Sequence, residues 1–256
     1  MGIILTSRIP YTLANPLRPK RPAISKIIFL SMEGSVTEEE YFTWISQLFD
    51  EVKTKIQFIS VAEDAIHTRE KNRTKEQRSM LGKSKPKQLV EKIEQFKIEQ
   101  SEKYQFDKYE DEFWIVSDID DNLSDYAIEN LHQALELCDE KGYGYAISNP
   151  FFELWLLLHH DDITEEDKCY AVTEEHAYEK TSHFRERLRD CGAPLQDSKH
   201  IRGEDYTKEK VIQAVERAKA LHTDREGRYP QYLATTVYQL LDKVLEMADR
   251  NKILLS

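Results

Sequence analysis

Glu33, Asp118 and Asp120 are the residues whose types and placement most clearly suggest chemistry. Glu33-Gly34 directly follows the apolar run Lys26–Met32, and Asp118-Ile-Asp120 directly follows Phe113–Ser117. Both runs are short and rich in β-formers, which predicts strands covered on both faces. In an open parallel sheet, ligands bind beyond the carboxyl ends of the strands. Neighbouring strands would therefore bring the three carboxylates to one rim. Like charges held that close repel, and a buried unpaired charge is costly. A hard divalent cation, Mg²⁺ or Mn²⁺, resolves the conflict, because it takes oxygen ligands and keeps waters that a substrate phosphate can displace. The residue between the two aspartates points away, so Asp118 and Asp120 can face one ion. Glu33 either ligates that ion or serves as a general acid/base.

Each piece alone is commonplace, since D-x-D and E-G pairs abound in solvated loops. Their joint placement at strand ends is what carries information. Glu153 and His159 are outer candidates. Glu153 sits in the apolar run Phe151–Leu158 and needs a partner there, either a second ion or a basic side chain. His159 stands at the end of that run, a position that suits a cation or a ligand. Asn149 is read as a helix cap or a phosphate contact, and Glu38 as an acid complementing a helix dipole. A polyanion contact is sought between Arg69 and Lys92, where Arg73, Lys75, Arg78, Lys83, Lys85 and Lys87 outnumber the acids. His200, Arg202, Tyr206 and Lys208 form a weaker second cluster.

The elements that must position these groups alternate. Strands are expected at Lys26–Met32, Ile56–Val61, Phe113–Ser117 and Tyr143–Ile147. Helices follow Thr37 (with Glu40 as a capping box), Pro86 and Ser124. That order predicts an α/β fold with a largely parallel four-stranded sheet flanked by helices. Beyond Pro150 the pattern turns helical, over Phe151–His160, Glu174–Arg189, Lys208–His222 and Tyr232–Met247. The expected organisation is a basic, proline-rich arm over 1–25, an α/β domain over 26–160, and a helical region over 161–256 packed on it.

Composition sets bounds on partners. The net charge of −11, with 40% hydrophobic and 32% charged residues, describes a globular chain that would need a local basic patch or a metal to meet a polyanion. Cys138, Cys169 and Cys191 are too separated for a disulfide framework or a thiolate zinc site, which suggests a reducing cytoplasm. No apolar run is long enough to span a bilayer, so no membrane association is expected.

The order strand–Glu–helix, then strand–Asp-x-Asp–helix, resembles the Toprim domain of topoisomerases, primases and overcoming-lysogenization-defect nucleases. Glu33-Gly34-x-x-Thr37-Glu38-x-x-Tyr41-Phe42, Ser117-Asp118-x-Asp120-Asp121 and Ser148-Asn149-Pro150-x-Phe152-Glu153-Leu154-Trp155-Leu156-Leu157-Leu158-His159 together resemble the RloB family. Tyr206-x-Lys208 and Thr235-Thr236-Val237-Tyr238-x-Leu240 are similar to its tail pattern, and Met32 stands where that family often has Cys. The resemblance implies a Toprim-like fold, divalent-metal dependence, and phosphodiester cleavage in RNA (tRNA included) or DNA. It further implies a role in bacterial anti-phage or abortive-infection defence beside an ATPase partner, with homo-oligomers as a further expectation. The chain has no G-x-x-x-x-G-K-[ST], so ATP hydrolysis would belong to that partner. Two other readings stand beside the nuclease: a non-catalytic subunit that scaffolds or regulates the ATPase, and phosphoryl transfer on a mononucleotide.

Overall fold

A computed structural model describes residues 27–34, 36–49, 58–60, 86–101, 106, 111–119, 125–172 and 177–255. Asp120, the N-terminal arm, and the basic candidates Arg73, Lys75, Arg78, Lys83 and Lys85 lie outside these residues.

The strands are β1 (Ile27–Met32), β2 (Phe58–Ser60), β3 (Asp111–Asp118), β4 (Gly144–Asn149) and β5 (Ala234–Thr235). They form one sheet in the order β2-β1-β3-β4-β5. The first four are mutually parallel, as expected, and β5 joins β4 antiparallel. The helix expected from Tyr232 begins instead at Val237, because Ala234 and Thr235 pair with Asn149 and Ser148 of β4. The helices are α1 (Thr37–Leu48), α2 (Pro86–Gln100), α3 (Asp125–Lys141), α4 (Phe152–Leu157), α5 (Glu165–Val172), α6 (Ala177–Asp190), α7 (Lys208–Leu221) and α8 (Val237–Leu255). The segment expected as one helix over Glu174–Arg189 is preceded by a separate α5, and the helix expected to reach His160 ends three residues earlier in turns.

Period-two alternation divides the sheet's side chains between two cores. Ile28, Leu30, Trp114, Val116 and Ala146 face a core shared with Tyr41, Phe42 and Ile45 of α1 and with α4, α6, α7 and α8. Ile27, Phe29, Phe113, Ile115 and Ile147 face a second core under α2 and α3. Residues from 152 to 245 thus pack into the same core as α1. Both faces of β1 and β3 are covered, which explains why these strands read as continuous apolar runs.

The helix faces matter for the site. The chain leaves β1 over one face through α1, and α2 covers the other face before β3 begins. The chain therefore reverses direction about β1 and β3, which makes a topological switch point at their carboxyl ends.

Candidate functional site: a carboxylate cluster at the switch point

Glu33 follows β1 and is still held by the ladder, its N–H donating to Val116 O at 3.0 Å. Asp118 closes β3 opposite Ser148, and the next amide, Ile119 N–H, donates to Ser148 O at 2.8 Å. Both acids thus rest on sheet backbone rather than on loops. The Ser117 hydroxyl donates to Glu33 Oε2 at 2.6 Å, and Asp118 N–H points at the same oxygen at 3.4 Å. The two strand-end acids expected to meet do meet.

Two more carboxylates join them. Glu38, in the first turn of α1, is 8% exposed and folds back over Gly34, whose amide hydrogen-bonds its carboxylate. Burial pushes the Glu38 carboxyl up to about 7, and the charges of Glu153 and Glu33 push the same way. Glu153, in the first turn of α4, is also buried. Burial raises Asp118 well above the ordinary carboxylate range, helped by the charges of Glu38, Glu33 and Glu153. The amide of Phe152 donates to the Asp118 carboxylate and partly offsets that rise.

Glu33, Glu38, Asp118 and Glu153 therefore lie within one another's fields. Glu153 has a cationic partner: Arg185 of α6 clasps its Oε1 through Nε at 2.9 Å and Nη2 at 2.7 Å. The open choice for Glu153 between an ion and a basic partner is thus met by an arginine. Glu38, expected to complement the helix dipole, joins the cluster instead. The signal that could have found its role is glycine four positions before an acid, which leaves room for the acid to fold back.

The other candidates are placed differently. His159 is 1% exposed, its Nδ1 2.9 Å from Trp155 O and its Nε2 3.0 Å from the Tyr41 hydroxyl. A carbonyl only accepts, so Nδ1 carries the proton and Nε2 accepts from Tyr41. Burial depresses the ring to about 3, so it is neutral. Its ring neighbours are Tyr41, Trp155, His160 and Tyr206, all outside the carboxylate cluster. A helix-end cation is not what the fold makes of it. Asn149 Nδ2 donates to Pro230 O at 3.0 Å, and the residue at the α4 cap is Phe151. Lys87, in the first turn of α2, packs against α3, its amide donating to Asn130 Oδ1 and its ammonium to Gln133 Oε1.

The second basic cluster is spent on internal contacts. His200 pairs with Glu40 at 2.7 Å, Arg202 with Asp205 at 2.8 Å, and Lys208 lies over the Phe49 ring, while Tyr206 is buried. The expected capping box also resolves otherwise. Val36 precedes the helix, Thr37 Oγ1 donates to Lys199 O, and Glu40 accepts from Ile201 N–H. Thr37 and Glu40 anchor a distant loop.

Among the described residues, no set of three or more histidine, cysteine or acidic residues is spaced to hold an ion, and no helix is long and apolar enough to cross a membrane. No curated protein and no solved structure matches the chain. The family described as RloB-like protein matches residues 28–244. This is the stretch that holds the cluster and both cores, and the chain belongs to the RloB-like family.

Proposed function

We propose that the chain is a metal-dependent, Toprim-type nuclease that cleaves phosphodiester bonds in RNA or DNA, as the effector of a bacterial anti-phage system with an ATPase partner. The observation that carries the reading is the gathering of Glu33, Glu38, Asp118 and Glu153 at the β1/β3 switch point, with Arg185 paired to Glu153. Within the cluster burial and neighbouring charges raise Glu38 and Asp118, and perturbed acids of this kind are a recurrent mark of functional sites.

Glu33 and Asp118 bring oxygen donors to two neighbouring strand ends, the ligand chemistry that a hard cation takes. Glu33 and Asp118 would hold it together with Asp120. When bound, the ion supplies Lewis acidity at a phosphate and offsets the carboxylate charge. The remaining chemistry falls to the chain. Ser117 fixes the orientation of Glu33 through its hydroxyl. Glu38, raised to about 7, can take or give a proton at its carboxylate near neutral pH, which suits a general acid/base. Glu153, clasped by Arg185, holds its carboxylate in one orientation. The defence role and the ATPase partner rest on the family resemblance.

Incubation of the purified chain with plasmid, single-stranded DNA and tRNA, with Mg²⁺ or Mn²⁺ and with EDTA, tests this reading. Metal-dependent cleavage lost in Asp118→Ala is the expected result. Cleavage that survives both Asp118→Ala and Glu33→Ala removes the site from the account. Silence on every substrate, with the ATPase partner present, transfers the account to a scaffolding subunit.

A further inference from the structure

The first turn of α1 separates two features. On one side, Glu38 reaches the carboxylate cluster. On the other, Val36, Glu39 and Glu40 line a groove of about 690 Å³ that runs along α1 through Thr43, Trp44 and Gln47. Its opposite wall is Gln196, His200, Ile201 and Gly203. The volume lies within the roughly 300–1,000 Å³ of small-molecule sites.

The groove is built rather than incidental. Gln196–His200 is a tight reversal closed by paired backbone bonds, with Asp197 and Ser198 both in the left-handed region at φ 47° and 61°. That loop is fastened to α1 by Thr37 on Lys199 O, and by Glu40 on His200 and Ile201. The Trp44 indole is fixed as well. Its Nε1–H donates to Tyr206 O at 2.9 Å, and Gly203 lies so close that a Cβ there would stand 2.4 Å from the ring. The indole is thus held at its polar edge and against Gly203, and Trp44 lines the groove, a preformed surface on which a planar ring can stack.

The groove's polar groups select the ligand. Among the described residues no lysine or arginine lines it, and Glu39 and Glu40 disfavour phosphate. Gln47 and Gln196 are exposed amides that both donate and accept. A planar, uncharged ring with a mixed hydrogen-bonding edge satisfies all of these features. We propose that the groove is a nucleobase pocket. It stacks a base on Trp44, reads its edge with Gln47 and Gln196, and sets which nucleotide flanks the phosphate delivered to the carboxylates. The specificity role rests on the nuclease reading; the base binding does not.

Fluorescence tests the pocket without catalysis. Trp114 and Trp155 are 4% and 0% exposed, whereas Trp44 is half-buried, so added quencher reports mainly on Trp44. The full chain in EDTA is titrated with each of the four nucleosides, and with spermidine as a cationic control. Saturable quenching by nucleosides, unequal among the bases, is expected. Calorimetry should show binding weakened about tenfold in Trp44→Leu, the scale of one lost base–aromatic stack. Gln47→Ala and Gln196→Ala, both at exposed positions, should change the order of preference while the fold stays intact. No nucleoside binding, binding equal in wild type and both glutamine variants, or quenching by spermidine alone overturns the pocket. Base binding in a chain that cleaves nothing even with the ATPase partner present leaves the pocket standing and defeats the nuclease reading. Cleavage with no base binding does the reverse.

Discussion

The carboxylate of Glu38 rests directly on Gly34, so closely that a Cβ at residue 34 would lie 1.9 Å from Oε2. This contact turns an α1 residue back into the strand-end cluster. Gly34→Ala should expel Glu38 while leaving the sheet intact, because the collision is with the end of a flexible side chain. The expected outcome is a stability change within about 1 kcal/mol and a fall of roughly 10–100-fold in metal affinity or cleavage, the range typical of lost outer partners of a metal site. Denaturant unfolding and cleavage rates on the same preparation check both halves.

The raised carboxyl of Glu38 makes stability depend on pH in the absence of metal. Its folded value of about 7 exceeds the ordinary 4.5, so between these values the folded state holds a proton that the unfolded state has released. Stability attributable to this group is complete below the lower value and falls as pH rises towards the upper one. The whole effect is on the order of 3 kcal/mol. Urea midpoints measured in EDTA across this range should decline for wild type relative to Glu38→Gln, which carries no titrating group there.

Arg185 and Glu153 should behave as a pair. Removing the arginine leaves a buried carboxylate among three others, and breaking a buried pair costs about 3–5 kcal/mol. Arg185 is a third exposed, so screening should reduce the loss in Arg185→Gln to about 1–3 kcal/mol. Lysine keeps the charge but loses the two-point grip that Nε and Nη2 provide. A double-mutant cycle with Glu153→Gln should return a coupling energy of 0.5 kcal/mol or more, on the rough scale of residues in direct contact. Additive single effects would show that the two act independently.

His159 predicts an acid limb of the opposite slope. Its folded value of about 3 lies below the ordinary 6.5, so as pH falls through that window the unfolded state takes up a proton that the folded state refuses. Stability is full above the upper value and declines below it. Between pH 6.5 and 5 the loss should reach about 2 kcal/mol. His160, depressed by burial to about 4, acts in the same direction. In His159→Gln the unfolding midpoint should fall less steeply with acid, although the variant starts from a weakened Tyr41–Trp155 bridge.

Glu33 and Asp118 were legible in the sequence because each follows a run buried on both faces, and burial on both faces writes an unbroken apolar stretch into the chain. The family motif across Ser148–His159 was legible for the same reason, as six buried residues form α4. What escaped depended on distant contacts. β5 is two residues long and exists through its bonds to Ser148 and Asn149, so it has no period to read. Glu38 looked like any first-turn acid until Gly34 gave it space. Thr37 and Glu40 had the spacing of a cap, but the loop carrying Lys199 and Ile201 claimed them from more than 150 residues away. His159 had the position of a helix-end cation, and the aromatic core around it made that charge untenable.

Direct measurement of Mn²⁺ binding to the full chain by calorimetry at pH 8, for wild type, Glu33→Gln and Asp118→Ala, tests the central claim. The account predicts saturable binding by wild type, weakened tenfold or more in each variant. It also predicts that Mn²⁺ raises the unfolding temperature of wild type alone. Equal affinity in all three proteins, or no binding by wild type, would contradict it.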